Sequence, residues 1–222
     1  YAEGIRSFAL MRNCHEAVRG LMKDMSAGAE ADDKAAVTQA WDDFKTLVAV
    51  HMKQEEEGMF PLLDRLFDNI ASNAGLGEEH KEDLAMRASV EDALAGDDME
   101  AVKSAVAAFV ESHEAHLKHE EDVMMPQVPK IAPTPMERAV EMRKILSVDL
   151  DGFRTAMLPI VLRMLSKHKP YKIVRMYTLA VQMASSPSEW EAARPICKAN
   201  VSAEAWEQLE KEGVDLPGRQ PE

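Results

Sequence analysis

Histidine and glutamate recur in this chain at a fixed separation of 65 positions, and this repeat restricts the possible folds more than any other feature. The identities at this offset are His15 with His80, His51 with His116, Glu55 with Glu120, Glu56 with Glu121, Phe44 with Phe109, Met59 with Met124 and Pro61 with Pro126. Histidine is scarce, with seven in the chain, yet four of them obey the offset. A repeat that served packing alone would preserve only apolar positions. We therefore interpret it as a pair of helices used twice, with a polar site preserved in both copies.

Apolar residues in these segments are spaced by threes and fours, which is the period of one face of an α-helix. The first stripe contains Ile5, Phe8, Met11, His15, Val18, Met22 and Met25, the second contains Val37, Trp41, Phe44, Val48, His51, Glu55 and Met59, and the third contains Val102, Val106, Phe109, His113, His116, Glu120 and Met124. The repeated His and Glu residues lie within these stripes. They are therefore predicted to point into the protein core.

Strand signals are nearly absent, and the pattern predicts an all-α fold. Four long helices are expected. The first covers about residues 4 to 26, and the second covers about 33 to 61 and continues to 69. The third follows the Gly75–Gly77 break and ends near Gly96, and the fourth covers about 98 to 125. Short connections between long helices favour an antiparallel up-and-down four-helix bundle.

Prolines mark a boundary near residue 130, since proline cannot continue a helix. We predict a bundle over residues 1–130 and a C-terminal helical extension of four or five shorter helices over residues 131–222. The extension has no recognisable catalytic motif. It is expected either to cover one flank of the bundle or to bind a protein partner.

The chain is acidic, with a formal net charge of −13 and a pI of about 5.0, so nucleic acid is not an expected partner. No apolar run reaches the length needed to span a membrane. Cys14 and Cys197 are far apart and form no Cys-x-x-Cys pair, which excludes structural zinc bound through thiolates. These features predict a soluble, intracellular and cytoplasmic protein. Because the sequence starts at Tyr1, a removed targeting peptide is also compatible with it.

The chemistry of the repeated residues favours a metal site. Two buried glutamates repel each other if both are ionised, and a multivalent cation removes that repulsion. The alternative is a buried polar network without a metal. Imidazole and carboxylate together suit iron, manganese or zinc. The predicted ligands of a dinuclear site are His15, His51, Glu55, His80, His116 and Glu120.

The segments that start at His51 and at His116 and end at Pro61 and Pro126 resemble the two H-x-x-x-E…P signatures of the hemerythrin-like (HHE cation-binding) family. The resemblance covers roughly residues 8 to 128. It implies an up-and-down bundle that holds two non-haem iron ions, bridged by carboxylates and by an oxo or hydroxo group. It also implies binding of O2 or of another small diatomic or peroxide ligand. None of the seven histidines has a glutamate three residues before it, so the Glu-x-x-His motif of ferritin-like proteins is absent from the sequence.

Other residues near the predicted ligands have separate expected roles. Oxygen-carrying hemerythrins have a second histidine one turn after the third-helix ligand, where this chain has Leu84. His113 lies on the inner stripe and is a secondary candidate, as a ligand or as a hydrogen-bond partner of a ligating glutamate. Glu79 and Asp83 are expected to be solvated. Tyr1, Tyr171 and Tyr177 lie outside the predicted bundle helices, which argues against a buried tyrosyl radical partner of the site.

The sequence thus favours a protein that binds iron and dioxygen, as a sensor or store, over an enzyme. One alternative is a di-iron oxidoreductase that acts on O2, peroxide or nitric oxide. The other is an interaction module that is stabilised by its metal.

Overall fold

A computed structural model describes residues 9–213 as helices and connecting turns, with no strand in that range. The helices of the first half are α1 (Ala9–Glu30), α2 (Lys34–Gln54), α3 (Phe60–Leu66), α4 (Ile70–Ala74), α5 (Leu76–Ala95) and α6 (Met99–Met124). Those of the second half are α7 (Val128–Ile131), α8 (Pro135–Leu146), α9 (Leu150–Gly152), α10 (Leu158–His168), α11 (Tyr171–Ala184), α12 (Pro187–Ala199) and α13 (Ala203–Lys211). The all-α prediction is confirmed for this part of the chain.

Helix α1 continues past the stop that was predicted between Ser26 and Gly28, and it ends at Glu30. A Cβ atom on Gly28 would lie 3.0 Å from Cγ2 of Val37 on α2. The glycine therefore permits the close approach of α1 and α2 and does not end the helix. The predicted start near residue 4, with Ile5 and Phe8, lies outside the described residues.

Helix α2 begins as predicted, because the carboxylate of Asp33 accepts a hydrogen bond from the backbone N–H of Ala36 at 3.0 Å. After α2 the chain forms a π-helical turn over Glu55–Met59 and then continues directly into α3. Such turns occur often at functional sites. Here the turn begins at a predicted metal ligand, a feature that the sequence repeat did not predict, since Glu120 lies within the regular α-helix α6.

The segment after α6 is more helical than predicted. The short helix α7 lies within the expected linker, and Pro195 lies inside α12 and not at a break. No helix within residues 9–213 is both long and apolar enough to cross a membrane.

Helix α1 packs against both α2 and α6, and α5 packs against α6. The C-terminal helices α10 and α11 pack on α1, and α8 packs on the π-helical turn. A Cβ atom on Gly20 of α1 would lie 2.9 Å from Cδ2 of His168, so the glycine permits this contact with α10. Buried apolar residues before and after position 130 form a continuous core. The domain boundary near residue 130 stays a prediction.

Candidate metal centre

The six predicted ligands come from four helices and from the π-helical turn. His15 lies on α1, His51 on α2, His80 on α5, and His116 and Glu120 on α6, whereas Glu55 is the first residue of the turn. Their side chains face the core, as the stripes predicted. His15 and Glu120 are completely buried, and His116 is the most exposed of the six, with 9% of its side chain accessible.

The structure brings these residues together as two groups of potential metal ligands. One group consists of His15, His51, Glu55 and Glu120, and the other of His80, His116 and Glu120. Within each group the ligand atoms lie within 4.8 Å of one another. Each group therefore contains the two histidines of one copy of the repeat, and Glu120 belongs to both groups.

Glu55 faces the histidines of both groups. Its Oε1 atom lies 3.3 Å from Nε2 of His51 and 3.9 Å from Nε2 of His15. Its Oε2 atom lies 3.6 Å from Nε2 of His80. The two oxygens of one carboxylate thus point toward different histidine pairs.

Glu120 has the same arrangement with the roles of the two copies exchanged. Its Oε1 atom lies 3.4 Å from Nε2 of His80 and 3.5 Å from Nε2 of His116, and its Oε2 atom lies 3.4 Å from Nε2 of His15. These separations are longer than ordinary N–H···O hydrogen bonds, so the atoms face one another without bonding.

The opposite nitrogen of three histidines is held by an acidic residue. Nδ1 lies 3.0 Å from Glu121 in His15, 2.8 Å from Glu56 in His80 and 2.9 Å from Glu79 in His116. An ionised carboxylate can only accept, so each Nδ1 donates. In a neutral imidazole the Nε2 lone pair then faces the carboxylates of Glu55 and Glu120. Acidic partners of this kind commonly orient histidines that bind metals.

The atoms that face the centre of the site have no hydrogen-bond partner within residues 9–213. They are Nε2 of His15, His51 and His80, and both carboxylate oxygens of Glu55 and of Glu120. Leaving a buried polar group unpaired costs about 1–3 kcal/mol, and more for a charged group. A cation between the carboxylates and the imidazoles would satisfy all of them together. The mixed nitrogen and oxygen donors fit iron, manganese or zinc better than calcium or magnesium.

The pKa values of these residues in the metal-free site reflect their burial and the short distances between them. Burial and the neighbouring Glu120 raise the pKa of Glu55 to about 7. Burial also opposes ionisation of Glu120, but the nearby imidazole of His80 and the other imidazoles outweigh it and lower its pKa. Burial alone would lower the pKa of His15 and of His80, but their acidic neighbours outweigh it and raise both to about 9. Protons therefore partly neutralise the set when no metal is bound.

The secondary candidate His113 lies in neither ligand group. Its Nδ1 donates to Asp83 at 2.7 Å, and its ring packs edge-on against Phe44. Asp83 is buried and is also paired with Arg87, so the expectation that Asp83 is solvated is wrong. The reason is that Asp83 follows His80 by three residues and shares the inner face of α5.

Two further residues of α5 differ from expectation. Glu79 is only partly exposed and accepts hydrogen bonds from Nδ1 of His116 and of His119. Leu84, which replaces a histidine of the oxygen carriers, is 55% exposed and points away from the site. The contacts of Glu56, Glu79 and Glu121 with the histidines were not predicted from the sequence. The identity of Glu56 and Glu121 at the 65-residue offset was the one sequence feature that pointed to such a role.

One tyrosine lies closer to the predicted ligands than its position in the sequence indicates. Tyr177 of α11 is completely buried and lines a small cavity that also borders His51 and Glu55. The sequence could not show this, because the cavity lies between α11 and helices of the first half of the chain. The expectation that no tyrosyl radical partner is present stays a prediction.

The family model of the hemerythrin HHE cation-binding domain matches residues 6–128 of the chain. The comparisons with curated proteins and with solved structures found no match.

Proposed function

The chain belongs to the hemerythrin HHE cation-binding family, and on this basis we propose that it is a non-haem di-iron protein that binds iron and dioxygen. Its proposed role is oxygen or iron sensing, or iron storage. Cation binding follows from the family. The number of ions, their identity and the binding of dioxygen are proposed here.

The observation that carries the proposal is the orientation of the two central carboxylates. Glu55 and Glu120 each direct one oxygen toward His15 and the other toward His80. We assign one ion to the side of His15 and His51 and the other to the side of His80 and His116, with both glutamates as bridges. Each ion would have two imidazole nitrogens and two carboxylate oxygens from the protein, which leaves room for an oxo or hydroxo bridge and for a small ligand.

Two ferrous ions, when bound, would supply the electrons for reversible or reductive chemistry on dioxygen. The protein residues bind the ions and exclude bulk water. Glu56, Glu79 and Glu121 hold protons at Nδ1 of their histidines and so direct the Nε2 lone pairs inward. Among the six ligands, only His116 reaches 9% side-chain exposure, so the centre is almost completely dry.

We further propose that α1, α2, α5 and α6 form the antiparallel up-and-down bundle expected from the sequence. The packing of α1 on α2 and α6, of α5 on α6, and of α2 on α5 supports this arrangement. In such a bundle the ligands of facing helices meet at one level of the core.

Metal analysis of the purified full chain, together with its visible and near-ultraviolet spectrum, tests the proposal. We expect about two irons per chain and absorption bands of a bridged ferric pair. Glu120→Gln should lose iron, whereas Glu57→Gln, an exposed position on the same π-helical turn as Glu55, should retain it. Absence of iron in the wild-type protein after anaerobic loading would refute the proposal.

A di-iron oxidoreductase acting on O2, peroxide or nitric oxide is the second candidate. A cavity of about 30 Å³ borders His51 and Glu55 and favours this second function. A substrate as small as O2, peroxide or nitric oxide could approach the centre through it. Consumption of peroxide or nitric oxide with a chemical reductant, at a rate lost in Glu120→Gln, would support an enzyme. Binding without turnover would support a sensor or store.

A further inference from the structure

A small cavity lies between the C-terminal helices and the His51 side of the proposed centre. Its volume is about 30 Å³, which is sufficient for a water or a molecule of two or three heavy atoms. His51, Gln54 and Glu55 line it on one side, and residues of α8, of a second π-helical turn (Phe153–Met157) and of α11 line it on the other. Apart from a few polar groups, its wall consists of methionine, leucine, isoleucine and phenylalanine side chains.

Two hydrogen-bond donors in this wall have no partner within the described range. They are the hydroxyl of Tyr177, which is completely buried, and the amide nitrogen of Gln54, whose residue is 4% exposed. A metal on His51 and Glu55 would satisfy those two residues but neither of these donors, because a cation does not accept a hydrogen bond. Buried donors normally have an acceptor, so an acceptor inside the cavity is required to complete the site.

We propose that this cavity binds a small molecule with hydrogen-bond-accepting atoms at the metal centre, and that Tyr177 and Gln54 donate hydrogen bonds to it. This inference rests on the proposed function, since the same molecule must also reach the metal. The size of the cavity restricts the ligand to diatomic and triatomic species, a class that includes dioxygen, nitric oxide and azide. The C-terminal extension thereby supplies part of the ligand site, through the phenol of Tyr177.

Leu146 and Phe153 line both this cavity and a second, smaller pocket of about 10 Å³. The charged residues Arg143 and Glu189 are part of the lining of the second pocket. Rotation of the Leu146 and Phe153 side chains would connect the two spaces, so we expect this to be an entry path for the ligand.

Azide binding to the iron-loaded, ferric full chain tests the hydrogen-bond donors. Tyr177→Phe should raise the Kd for azide about tenfold, the effect of losing one hydrogen bond to a charged acceptor, while the iron content stays unchanged. Tyr171→Phe is the matched control, because Tyr171 lies on the same helix but does not line the cavity. It should leave the Kd unchanged.

The possible outcomes separate this inference from the proposed function. If the wild-type protein and Tyr177→Phe bind iron and also bind azide equally well, the cavity holds at most an ordered water and the inference is wrong, whereas the di-iron proposal stands. If the wild-type protein binds no iron, both fail.

Two further measurements do not depend on equilibrium affinity for azide. In the metal-free protein, Tyr177→Phe should leave the midpoint of thermal unfolding unchanged or raise it, because the hydroxyl has no protein partner within residues 9–213. A lowered midpoint would indicate a structural role and would contradict the inference.

Phe153→Leu should increase the association and dissociation rates of azide several-fold with little change in Kd. Phe109→Leu, which changes a buried ring outside both spaces, is the control and should leave both rates unchanged. Unchanged rates in Phe153→Leu would refute the entry path.

Discussion

Oε1 of Glu121 lies 3.0 Å from Nδ1 of His15, although the two residues are 106 positions apart in the chain. The equivalent pair under the 65-residue offset is Glu56 and His80, whose atoms lie 2.8 Å apart. Each copy of the repeat therefore supplies the acidic residue that orients the histidine of the other copy. Neither copy can build its half of the centre alone.

This exchange predicts that loss of either acidic partner weakens metal binding, although neither carboxylate is among the proposed metal ligands. Glu121→Gln removes the charge that holds the Nδ1 proton of His15, and we expect iron affinity to fall about 10- to 100-fold. Competition with a chelator of known affinity measures the change. Glu111→Gln, an exposed position on the same helix, is the control and should bind as the wild type does. Equal affinities for all three proteins would contradict the role of Glu121.

Removal of the metal is expected to destabilise the fold. Without a cation, the carboxylates of Glu55 and Glu120 are left buried and unpaired at the core. A ligand that binds only the folded state at 100 times its Kd contributes about 2.7 kcal/mol to the free energy of unfolding. Chelation should therefore lower the midpoint of thermal unfolding, as monitored by far-ultraviolet circular dichroism. An unchanged midpoint would count against a metal in the core and against a metal-stabilised interaction module.

The buried pair of Asp83 and His113 predicts a dependence of stability on pH. Burial opposes ionisation of Asp83, but the bond to His113 and the charge of Arg87 outweigh it and lower the pKa of Asp83. The ionised carboxylate therefore stabilises the folded state above the unfolded pKa of about 3.9, and this contribution is lost as the pH falls through the lower folded pKa.

Denaturant unfolding of Asp83→Asn measures that contribution. The variant should lose about 3 kcal/mol at pH 7, because Arg87 is left without its buried partner. The difference from the wild type should shrink as the pH falls below about 4. Asp92→Asn changes an exposed residue of the same helix and should have little effect at either pH. A difference that stays constant with pH would refute the ionic role of Asp83.

Deletion of the residues after 131 should destabilise the helices that precede them. Helices α10 and α11 pack on α1, and the side chains of Val161, Leu165 and Tyr177 are completely buried. Their removal exposes the outer face of α1 to water, so the truncated chain should aggregate or unfold at a lower temperature. Size-exclusion chromatography and thermal unfolding measure this. A monomeric fragment with the midpoint of the full chain would support an independent domain over residues 1–130.

Much of the site was predictable because a buried ligand set must obey helical spacing. The stripe that contains Phe44, His51 and Glu55 predicted the inward orientation of these residues. The contacts of Glu121 with His15 were less accessible, since they depend on how two distant helices meet. The π-helical turn at Glu55 was also hidden, because the repeat equates Glu55 with Glu120, and Glu120 lies in a regular helix.

The C-terminal helices show where sequence reasoning fails for a physical reason. Tyr177 follows Glu55 by more than a hundred residues, and no local pattern signals that the two line one cavity. Gly20 likewise resembles an ordinary helix position until the side chain of His168 is placed against it. Contacts between distant segments depend on packing, which periodicity does not encode.

Anomalous diffraction at the iron absorption edge, from crystals of the iron-loaded chain, locates the ions themselves. We expect two peaks about 3.5–4 Å apart, a separation common in dinuclear sites, with Glu55 and Glu120 between them. His15 and His51 should flank one peak, and His80 and His116 the other. A single peak, or no peak among these six residues, would contradict the di-iron centre.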